Sequence, residues 1–414
     1  MLPDEPVQPP AWPFPTKIAF RFFALYFFLY VLVTQMLGSL LGGVAGFLGF
    51  IEKPFILLTE WVGTRVFHVI AKSHPTGSGD TMFAWVETFC LLVIAIAGCL
   101  LWSILDHRRQ RYARLYHWFR VFLRFALGAT MISYGFVKAF PLQMPAPQLT
   151  RLLEPYGNFS PMGVLWYSIG ASFPYERFVG MVEVIGGGLL FFPPTQLAGA
   201  LVCMAATIQV FALNMTYDVP VKLFSFHLVL MSAVLIAPFV RHLCDVVLTG
   251  RARSRWAAIA QVLFGLYLLA MNCFSASQGW ASRGPGAPKP PLYGIWTIDK
   301  MWIDGVERAP LLTDYDRYRR FIVQSASTVV FWRMDDTPQM YPAKIQADQK
   351  LIKLTAGTTE LGALKYEQPT PDQLIIQGRL GSSEVRMITT RLDHTKFFLL
   401  TRGFNWVQEY PVNR

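Results

Sequence analysis

Long apolar runs limit the fold of this sequence more than any other feature. Each run approaches the ~20 residues that a helix needs to cross the hydrocarbon of a bilayer. Charged residues make up only 15% of the chain, against roughly 25% in soluble domains. The sequence therefore predicts a mainly α-helical polytopic membrane protein with about seven transmembrane helices in a lipid bilayer. The runs are Ile18–Leu37, Phe83–Leu105, Trp118–Phe140, Phe178–Phe192, Leu197–Met215, Leu223–Val240 and Ala257–Cys273.

The stretch from Leu40 to Leu58 is ambiguous within the N-terminal transmembrane region, residues 1–117. It overlaps the glycine-rich sequence GSLLGGVAGFLGF, Gly38–Phe50, and it contains Glu52 and Lys53. Charged side chains are costly at the centre of a bilayer. We interpret the stretch as a re-entrant or interfacial segment, with a second full span as the alternative.

Two basic loops indicate the orientation of the chain. They are His107–Arg120, with the sequence HRRQRYARLYHWFR, and Arg241–Arg255, which ends in GRARSR. Lysine and arginine near the ends of spans favour the cytoplasm. Alternating spans place both loops there, so the residues after about Ser275 lie outside the cytoplasm. We therefore expect a multi-pass protein of a bacterial cytoplasmic (inner) membrane.

The distribution of positive charge does not indicate a nucleic-acid-binding protein. The formal net charge is +11, but no dense basic face or base-stacking pattern accompanies it. Metal-ligand spacing is also missing, because Cys90 and Cys99 fall on opposite faces of one helix. We predict no nucleic-acid partner and no metal site.

The last part of the chain, residues 292–414, follows a Pro/Gly-rich linker at residues 276–291. Short runs of β-forming residues recur there between turn residues, and several alternate polar with apolar side chains, as in LIKLT and SEVRMI. This spacing predicts an antiparallel β-barrel or sandwich, and the orientation of the basic loops makes it extracytoplasmic. The expected strands are Tyr293–Ile303, Arg319–Gln324, Thr328–Met334, Tyr341–Gln346, Leu351–Thr355, Leu364–Glu367, Gln373–Gly378, Glu384–Thr390 and Lys396–Arg402.

Two positions in this part resemble the ends of lipocalin-like barrels. Gly294-Ile295-Trp296 is similar to the GxW opening of that fold, and Arg402 is similar to the basic residue near its close. The resemblance implies that Trp296 plugs one end of the barrel. Arg402 would then cover the tryptophan ring in a cation–π contact.

Three sequences between Phe125 and His242 resemble the DoxX-like integral membrane family. They are ISYGFVKAFPLQMPAP, EVIGGGLLFFPPTQLAG and NMTYDVPVKLFSFHLVLMSAVLIAP, and HPTGSGDT at His74–Thr81 is similar to part of a longer subgroup. The family is loosely related to the small subunit of thiosulfate:quinone oxidoreductases. The resemblance, over residues of about 118–245, implies a four-helix transmembrane core within residues 118–275, and no thiosulfate-enzyme catalytic motif is present to carry over.

Ionisable and polar residues within the spans are the candidate functional residues. Tyr134, Glu183, Gln209 and His227 each lie about 9–10 Å from the outer end of a span, at a rise of 1.5 Å per residue. We therefore predict that they meet in one polar pocket in the outer half of the bundle, with Glu183 and His227 as a proton-carrying catalytic pair. The alternative is structural: Glu183 ties helices together and His227 is a satisfied core residue.

The loop NMTYDVPVK, Asn214–Lys222, supplies the predicted mouth of the pocket. Asn214, Asp218 and Lys222, with Lys138 on the same side, are candidate cofactor-binding residues together with Tyr134 and Gln209. The alternative for Asp218 and Lys222 is a solvated ion pair, and for Lys138 it is a cation that snorkels to the interface.

The sequence Gly77-Ser78-Gly79-Asp80-Thr81 is predicted to be a turn that caps the following helix. In that prediction, Asp80 or Thr81 accepts hydrogen bonds from the first amides of the helix.

Three functions are consistent with these patterns. The first is a quinone-binding redox protein or an accessory subunit. The second is a protein that binds or transfers a lipid or another hydrophobic small molecule through the outer barrel. The third is a non-catalytic structural subunit that binds the other subunits of a membrane complex, with the polar residues joining helices.

Overall fold

The computed structural model describes residues 11–42, 49–144, 146–147, 149–247, 254–282, 286–356 and 359–413. The chain forms two compact units, Met1–Thr249 with Phe398–Arg414, and Gly250–Phe397. Within the described residues, six helices are long and apolar enough to cross a membrane, which agrees with a mainly helical membrane protein. They are Phe14–Val33, Met82–Leu105, Ala113–Ala139, Pro193–Thr216, Lys222–Val247 and Arg255–Ser282.

The described residues of the first unit form helices and connecting segments without a β-strand. Its main core consists chiefly of aromatic and aliphatic side chains from α1, α2, α4, α5, α8, α9 and α10. The helices, in order, are α1 Phe14–Val33, α2 Met36–Leu41, α3 Gly49–Val62, α4 Met82–Leu105, α5 Ala113–Ala139, α6 Leu149–Leu152, α7 Pro161–Gly170, α8 Phe173–Phe191, α9 Gln196–Thr216, α10 Lys222–Ile236, α11 Val240–Val247 and, after the second unit, α13 Phe398–Thr401.

Glycine pairs hold α8 against α5. A Cβ on Gly135 would lie 2.7 Å from the Gly180 carbonyl oxygen, and a Cβ on Gly187 would lie 2.6 Å from the Gly128 carbonyl oxygen. Backbones come this close only where small residues line the contact. The order of the two pairs shows that the helices are antiparallel. α8 is therefore a further helix of the bundle, although its ionisable residues keep it out of the six apolar spans.

The antiparallel packing of α1 and α4 constrains the segment between them. The Arg21 guanidinium donates to Ser103 Oγ at 2.9 Å, and Cys99 Sγ donates to the Ile18 carbonyl at 3.6 Å, so the start of α1 lies beside the end of α4. α1 therefore ends on the side of the bundle where α4 begins. The re-entrant or interfacial interpretation of residues 40–58 stays a prediction. Residues 43–48 of that stretch lie outside the described residues.

The second unit contains α12, Arg255–Ser282, and a closed antiparallel β-barrel. The sheet follows chain order from β1 through β3 to β9, and β1 pairs with β9 to close it, while the short β2 pairs with β1. The strands are β1 Gly294–Ile303, β2 Val306–Glu307, β3 Tyr318–Ser325, β4 Thr328–Arg333, β5 Pro338–Gln346, β6 Leu351–Ala356, β7 Thr359–Thr370, β8 Gln373–Leu380 and β9 Ser383–Leu392.

The barrel confirms the first eight expected strands and shows that the last one is wrong. Residues His394–Lys396 form a single 3₁₀ turn, and α13, Phe398–Thr401, follows it. The β-forming residues between Lys396 and Arg402 find no open sheet edge, because β9 already pairs with β1. The predicted boundaries also shift. α12 runs through the first residues of the predicted linker, and Phe398–Arg414 belongs to the first unit.

Trp296 is a core residue of the barrel, as expected, but its cationic partner differs from the prediction. Trp296 is 1% exposed, and its indole N–H donates to the Leu292 carbonyl at 2.9 Å. The register of β1 and β9 pairs Trp296 with Arg391, whose guanidinium lies 5.9 Å from the ring centroid. The predicted contact of Arg402 with Trp296 is wrong, because Arg402 lies beyond the last strand.

Candidate functional site

A cavity of about 300 Å³ lies among α7, α8, α9 and the end of α5. Its walls are mainly apolar, and its polar groups come from α5, α8, α9 and the loop after α5. This combination is typical of pockets for small molecules. The cavity is lined by Lys138, Gln143, Met144, Leu165, Trp166, Ile169, Tyr175, Glu176, Phe178, Val179, Val182, Glu183, Ala205, Ala206, Gln209, Val210, Leu213 and Asn214.

A buried ion pair joins α5 to α8 at this cavity. The ammonium of Lys138 lies 2.5 Å from Glu183 Oε1, and the two side chains are 7% and 3% exposed. Gly180 allows the contact, since a Cβ there would lie 2.9 Å from the Cβ of Lys138. Lys138 is thus a buried partner of Glu183 rather than a snorkelling cation. Removing one member would leave the other as an uncompensated charge in a low-dielectric interior, which is strongly destabilising.

Three buried oxygen atoms around the ion pair have no hydrogen-bond partner among the described residues. They are Glu183 Oε2, Glu176 Oε2 and Gln143 Oε1. Glu176 is 0% exposed, and its other oxygen accepts the Met144 N–H at 3.0 Å. Leaving such acceptors unpaired costs about 1–3 kcal/mol each. The cavity therefore favours a molecule that brings hydrogen-bond donors.

The sequence analysis missed Glu176 and Gln143 as site residues. The apolar run of the sequence starts at Phe178, because Glu176 and Arg177 interrupt it, whereas α8 begins at Phe173. Ser172 and Pro174 could have indicated this earlier start, because proline is favoured in the first helical turn.

One side of the cavity borders the outer surface of the bundle. Tyr175 and Phe178 line it from α8 and are 45% and 64% exposed. Gln209 lines it from an exposed position of α9. The cavity therefore lies beside exposed side chains of α8 and α9.

Tyr134 lies on the other side of the ion pair. Its hydroxyl donates to Gln35 Oε1 at 3.0 Å. Tyr134 lines a small cavity of about 60 Å³ together with Lys138, Glu183 and Asn214. It also lines an outer cavity of about 370 Å³ with Gln35. The structure thus brings Tyr134 near Glu183 without placing it in the main cavity.

His227 does not line either cavity that contains Glu183. Its Nε2 lies 2.7 Å from the Tyr26 hydroxyl, and its Nδ1 lies 2.6 Å from the Leu223 carbonyl oxygen. Its ring stacks on Tyr30 with centroids 3.9 Å apart. The predicted proton-carrying pair of Glu183 and His227 is therefore not assembled, and His227 joins α10 to α1. Depth along the helix was similar, but the side chain leaves α10 on another face.

Asn214 lines the main cavity and also fixes the α9–α10 turn. Its amide donates to the Val221 carbonyl at 3.2 Å and to Ser225 Oγ at 3.0 Å. The predicted site residues Lys138, Glu183, Gln209 and Asn214 therefore meet at the cavity. Their roles in catalysis or cofactor binding stay predictions.

Asp218 and Lys222 are buried away from the main cavity, with exposures of 6% and 1%. The Lys222 ammonium lies 3.2 Å from Asp218 Oδ1 and 3.5 Å from Asp80 Oδ2. They are neither a solvated ion pair nor lining residues of the main cavity. They belong instead to a set that we call the outer cluster, defined as Asp80, Asp218, Lys222, Arg402 and Gln408.

The GSGDT turn contributes two different caps. Thr81 accepts the N–H of Ala84 at 3.1 Å and so caps α4, as predicted. Asp80 instead accepts the N–H groups of Lys222 and Leu223, both at 2.9 Å, at the start of α10. Burial raises the pKa of the Asp80 carboxyl, while these amide hydrogen bonds act in the opposite direction. One short turn thus fixes the first residues of two helices.

The segment 398–413 completes the outer cluster. Arg402 Nε donates to Asp218 Oδ2 at 3.0 Å, and the Gln408 amide donates to Asp218 Oδ1 at 2.7 Å. The Gln408 N–H donates to the Asp80 carbonyl at 2.9 Å. Trp85 Nε1 donates to the Trp406 carbonyl at 3.0 Å. The segment therefore binds the side of the bundle that lies opposite the basic loops.

Side chains fill the interior of the barrel. An eight-stranded barrel is just wide enough for its inward side chains to fill it. The buried residues form one continuous core, and two depressions along the described strands are lined by both polar and apolar side chains. The largest fully buried side chains there are Trp296, Arg317, Phe321 and Phe331. Binding of a hydrophobic molecule by the barrel stays a prediction.

No protein-family profile, curated protein or solved structure matches the chain.

Proposed function

We propose that the chain is a DoxX-like, quinone-binding membrane protein, acting as a redox protein or as an accessory subunit of a membrane complex. The observation that carries the proposal is the cavity beside α8 and α9. It lies beside exposed side chains of α8 and α9, it has aromatic walls, and it holds the buried pair of Lys138 and Glu183. In the proposed membrane protein, this exposed side faces the hydrocarbon, from which a lipophilic molecule enters. An isoprenoid quinone is a lipophilic ring with polar atoms at opposite ends. Such a ring fits an apolar pocket with few convergent polar groups.

Lys138 and Gln209 are the donors for the carbonyl oxygens of the ring. The Lys138 ammonium has three N–H donors, and Glu183 takes one of them. Glu183 holds the ammonium in place. Trp166 on α7 and Phe178 on α8 supply faces for the ring.

We further propose that the chain lies in a bacterial cytoplasmic membrane with its barrel outside. Two features support this topology. The basic loops between α4 and α5 and after α11 favour the cytoplasm. The segment 398–413 contacts Asp80 and Asp218 at the opposite ends of the helices. Because α12 crosses from the side of the basic loops, both ends of the barrel sequence come to the outer side.

A double substitution tests the quinone site. Lys138→Met with Glu183→Gln removes both charges while keeping the side-chain volumes, and replacing a whole buried pair is often close to neutral for stability. The full-length variant should fold with wild-type thermal stability and lose most of the quinone that mass spectrometry finds in the purified wild type. Loss of the ammonium donor is the reason.

Lys72→Met serves as the matched control, because Lys72 is exposed in the loop before α4. The control should retain quinone at the wild-type level. A folded double variant that retains the wild-type stoichiometry would contradict the proposed site, and so would purified wild-type protein that holds no quinone and binds none when it is added.

A further inference from the structure

The buried side-chain atoms at the main cavity that have no partner among the described residues are all acceptors. Glu183 Oε1 is taken by Lys138, whereas Glu183 Oε2 has no partner in the described structure. Glu176 has one oxygen on the Met144 N–H and one without a partner. Gln143 Oε1 is likewise unpaired, although the backbone carbonyl of Gln143 accepts the Trp166 indole N–H at 3.1 Å. The side chain of Glu176 is fully buried, so bulk water does not compensate for the missing donor.

An oxidised quinone cannot satisfy these atoms. Its two polar groups are carbonyls, which accept hydrogen bonds and donate none. The reduced form has two hydroxyl groups, each of which donates one hydrogen bond and can still accept one. A buried site made for a hydroxyl discriminates against an analogue that lacks it, because the partner atoms are then left unpaired.

We propose that Glu176 is a ligand-binding acceptor that makes the cavity select the reduced, dihydroxy form of the quinone over the oxidised form. This inference rests on the proposed function. Glu176 Oε2 accepts a hydrogen bond from one hydroxyl group of the ring, and Glu183 Oε2 accepts a hydrogen bond from the other.

The position of the two carboxylates on α8 fits this arrangement. Glu176 and Glu183 are two helical turns apart on the same face of α8 and both line the cavity. Their separation along the helix axis is about 10 Å at 1.5 Å per residue. A six-membered ring with a hydroxyl at each end, extended by a hydrogen bond of about 2.7 Å at either side, has a similar length.

The charges at the cavity lead to the same selection. Glu176 and Glu183 are two carboxylates, and Lys138 is the cation that pairs with one of them. One hydroxyl of a reduced quinone donates to Glu183 Oε2 in a charge-assisted hydrogen bond, which is about twice as strong as a neutral one, and the other gives Glu176 Oε2 the donor that it lacks. A carbonyl oxygen directed at either group brings no donor.

The experiment measures binding of short-chain reduced and oxidised quinone to the full-length protein in nanodiscs under anaerobic conditions. Wild-type protein should bind the reduced form about 10-fold more tightly, the factor expected when one buried acceptor is otherwise left unpaired. Glu176→Gln keeps an oxygen for the Met144 N–H and presents an amide donor to the cavity. Its preference should therefore fall to parity or reverse toward the oxidised form.

Glu60→Gln is the matched control, because Glu60 lies on α3 and is not a lining residue of the cavity. It should keep the wild-type preference. Equal binding of the two forms, or tighter binding of the oxidised form, by wild-type protein would overturn the selection by Glu176 and leave the quinone site intact. Binding of neither form would overturn the proposed function itself. If Glu176→Gln does not fold, the wild-type ratio decides, and Gln143→Leu should lower binding of the reduced form.

Discussion

Asp218 shows how much one side chain can hold in place at the residue scale. Its backbone has a φ of 52°, a left-handed conformation that aspartate adopts more readily than most residues. Its carboxylate accepts from Arg402, Asn405 and Gln408 and lies beside Lys222. The charge of a buried carboxylate is stable only with such partners. Asp218 therefore couples the α9–α10 turn to a segment far along the chain.

Replacing Asp218 with alanine should destabilise the first unit by about 3–5 kcal/mol, because it leaves the buried Lys222 with Asp80 alone and frees Arg402. Thermal unfolding of the full-length protein in detergent measures the effect. Asp245→Ala is the control, since Asp245 is exposed on α11, and it should change the unfolding temperature little. Equal effects of the two substitutions would show that the outer cluster is not a stabilising feature.

At the scale of the elements, the contact between α5 and α8 positions the candidate site. A Cβ on Gly180 would lie 2.5 Å from the Gly135 carbonyl oxygen and 2.5 Å from the Ala139 amide nitrogen. Both obstacles are backbone atoms, so the helices themselves would have to move apart. That movement would separate Lys138 from Glu183, which lie on the two helices beside this contact.

Gly180→Ala should therefore cost about 1–3 kcal/mol of stability through overpacking and also reduce quinone retention. Gly188→Ala on the same helix is the matched control, because a Cβ there meets nothing within 4 Å. It should preserve both properties. The test compares the unfolding temperature and the amount of retained quinone between the two variants. Equal values for Gly180→Ala and Gly188→Ala would refute the role of the close contact.

The elements themselves could be predicted from the sequence more completely than the site. Apolar length located the helices, and β-forming runs located eight strands, because both patterns follow from local chemistry. Depth along the helices grouped Glu183 with Gln209, and both line the main cavity. It did not give the direction of each side chain around its helix, so His227 was misplaced. The pairing of Trp296 with Arg391 depends on strand register across the barrel closure, which no local pattern contains.

On the scale of the whole molecule, the first unit contains two parts of the chain separated by the whole of the second unit. The segment 398–413 returns to the bundle after the barrel strands, at the ends of the helices away from the basic loops. In the topology proposed above, the barrel sequence therefore begins and ends on the extracytoplasmic side of the membrane.

Protease added to intact spheroplasts should remove the residues between α12 and the segment 398–413. The basic loop at His107–Arg120 should stay uncut until the membrane is opened, which controls for the integrity of the cells. Immunoblotting with tags placed in each region reports both results. Protection of the barrel in intact spheroplasts would overturn the proposed orientation.

The outer cluster also sets an order of events during synthesis. Asp218 precedes Arg402 by 184 residues, which a ribosome needs about 10–40 s to translate at about 5–20 residues per second. During that interval α9 and α10 can enter the bilayer, but the Asp218 carboxylate has only partners from its own half of the chain. A ribosome that stalls within the barrel strands would thus leave an inserted bundle whose outer end is still unfinished. Maturation of the membrane part therefore waits for the synthesis of residues that lie beyond the last strand of the barrel.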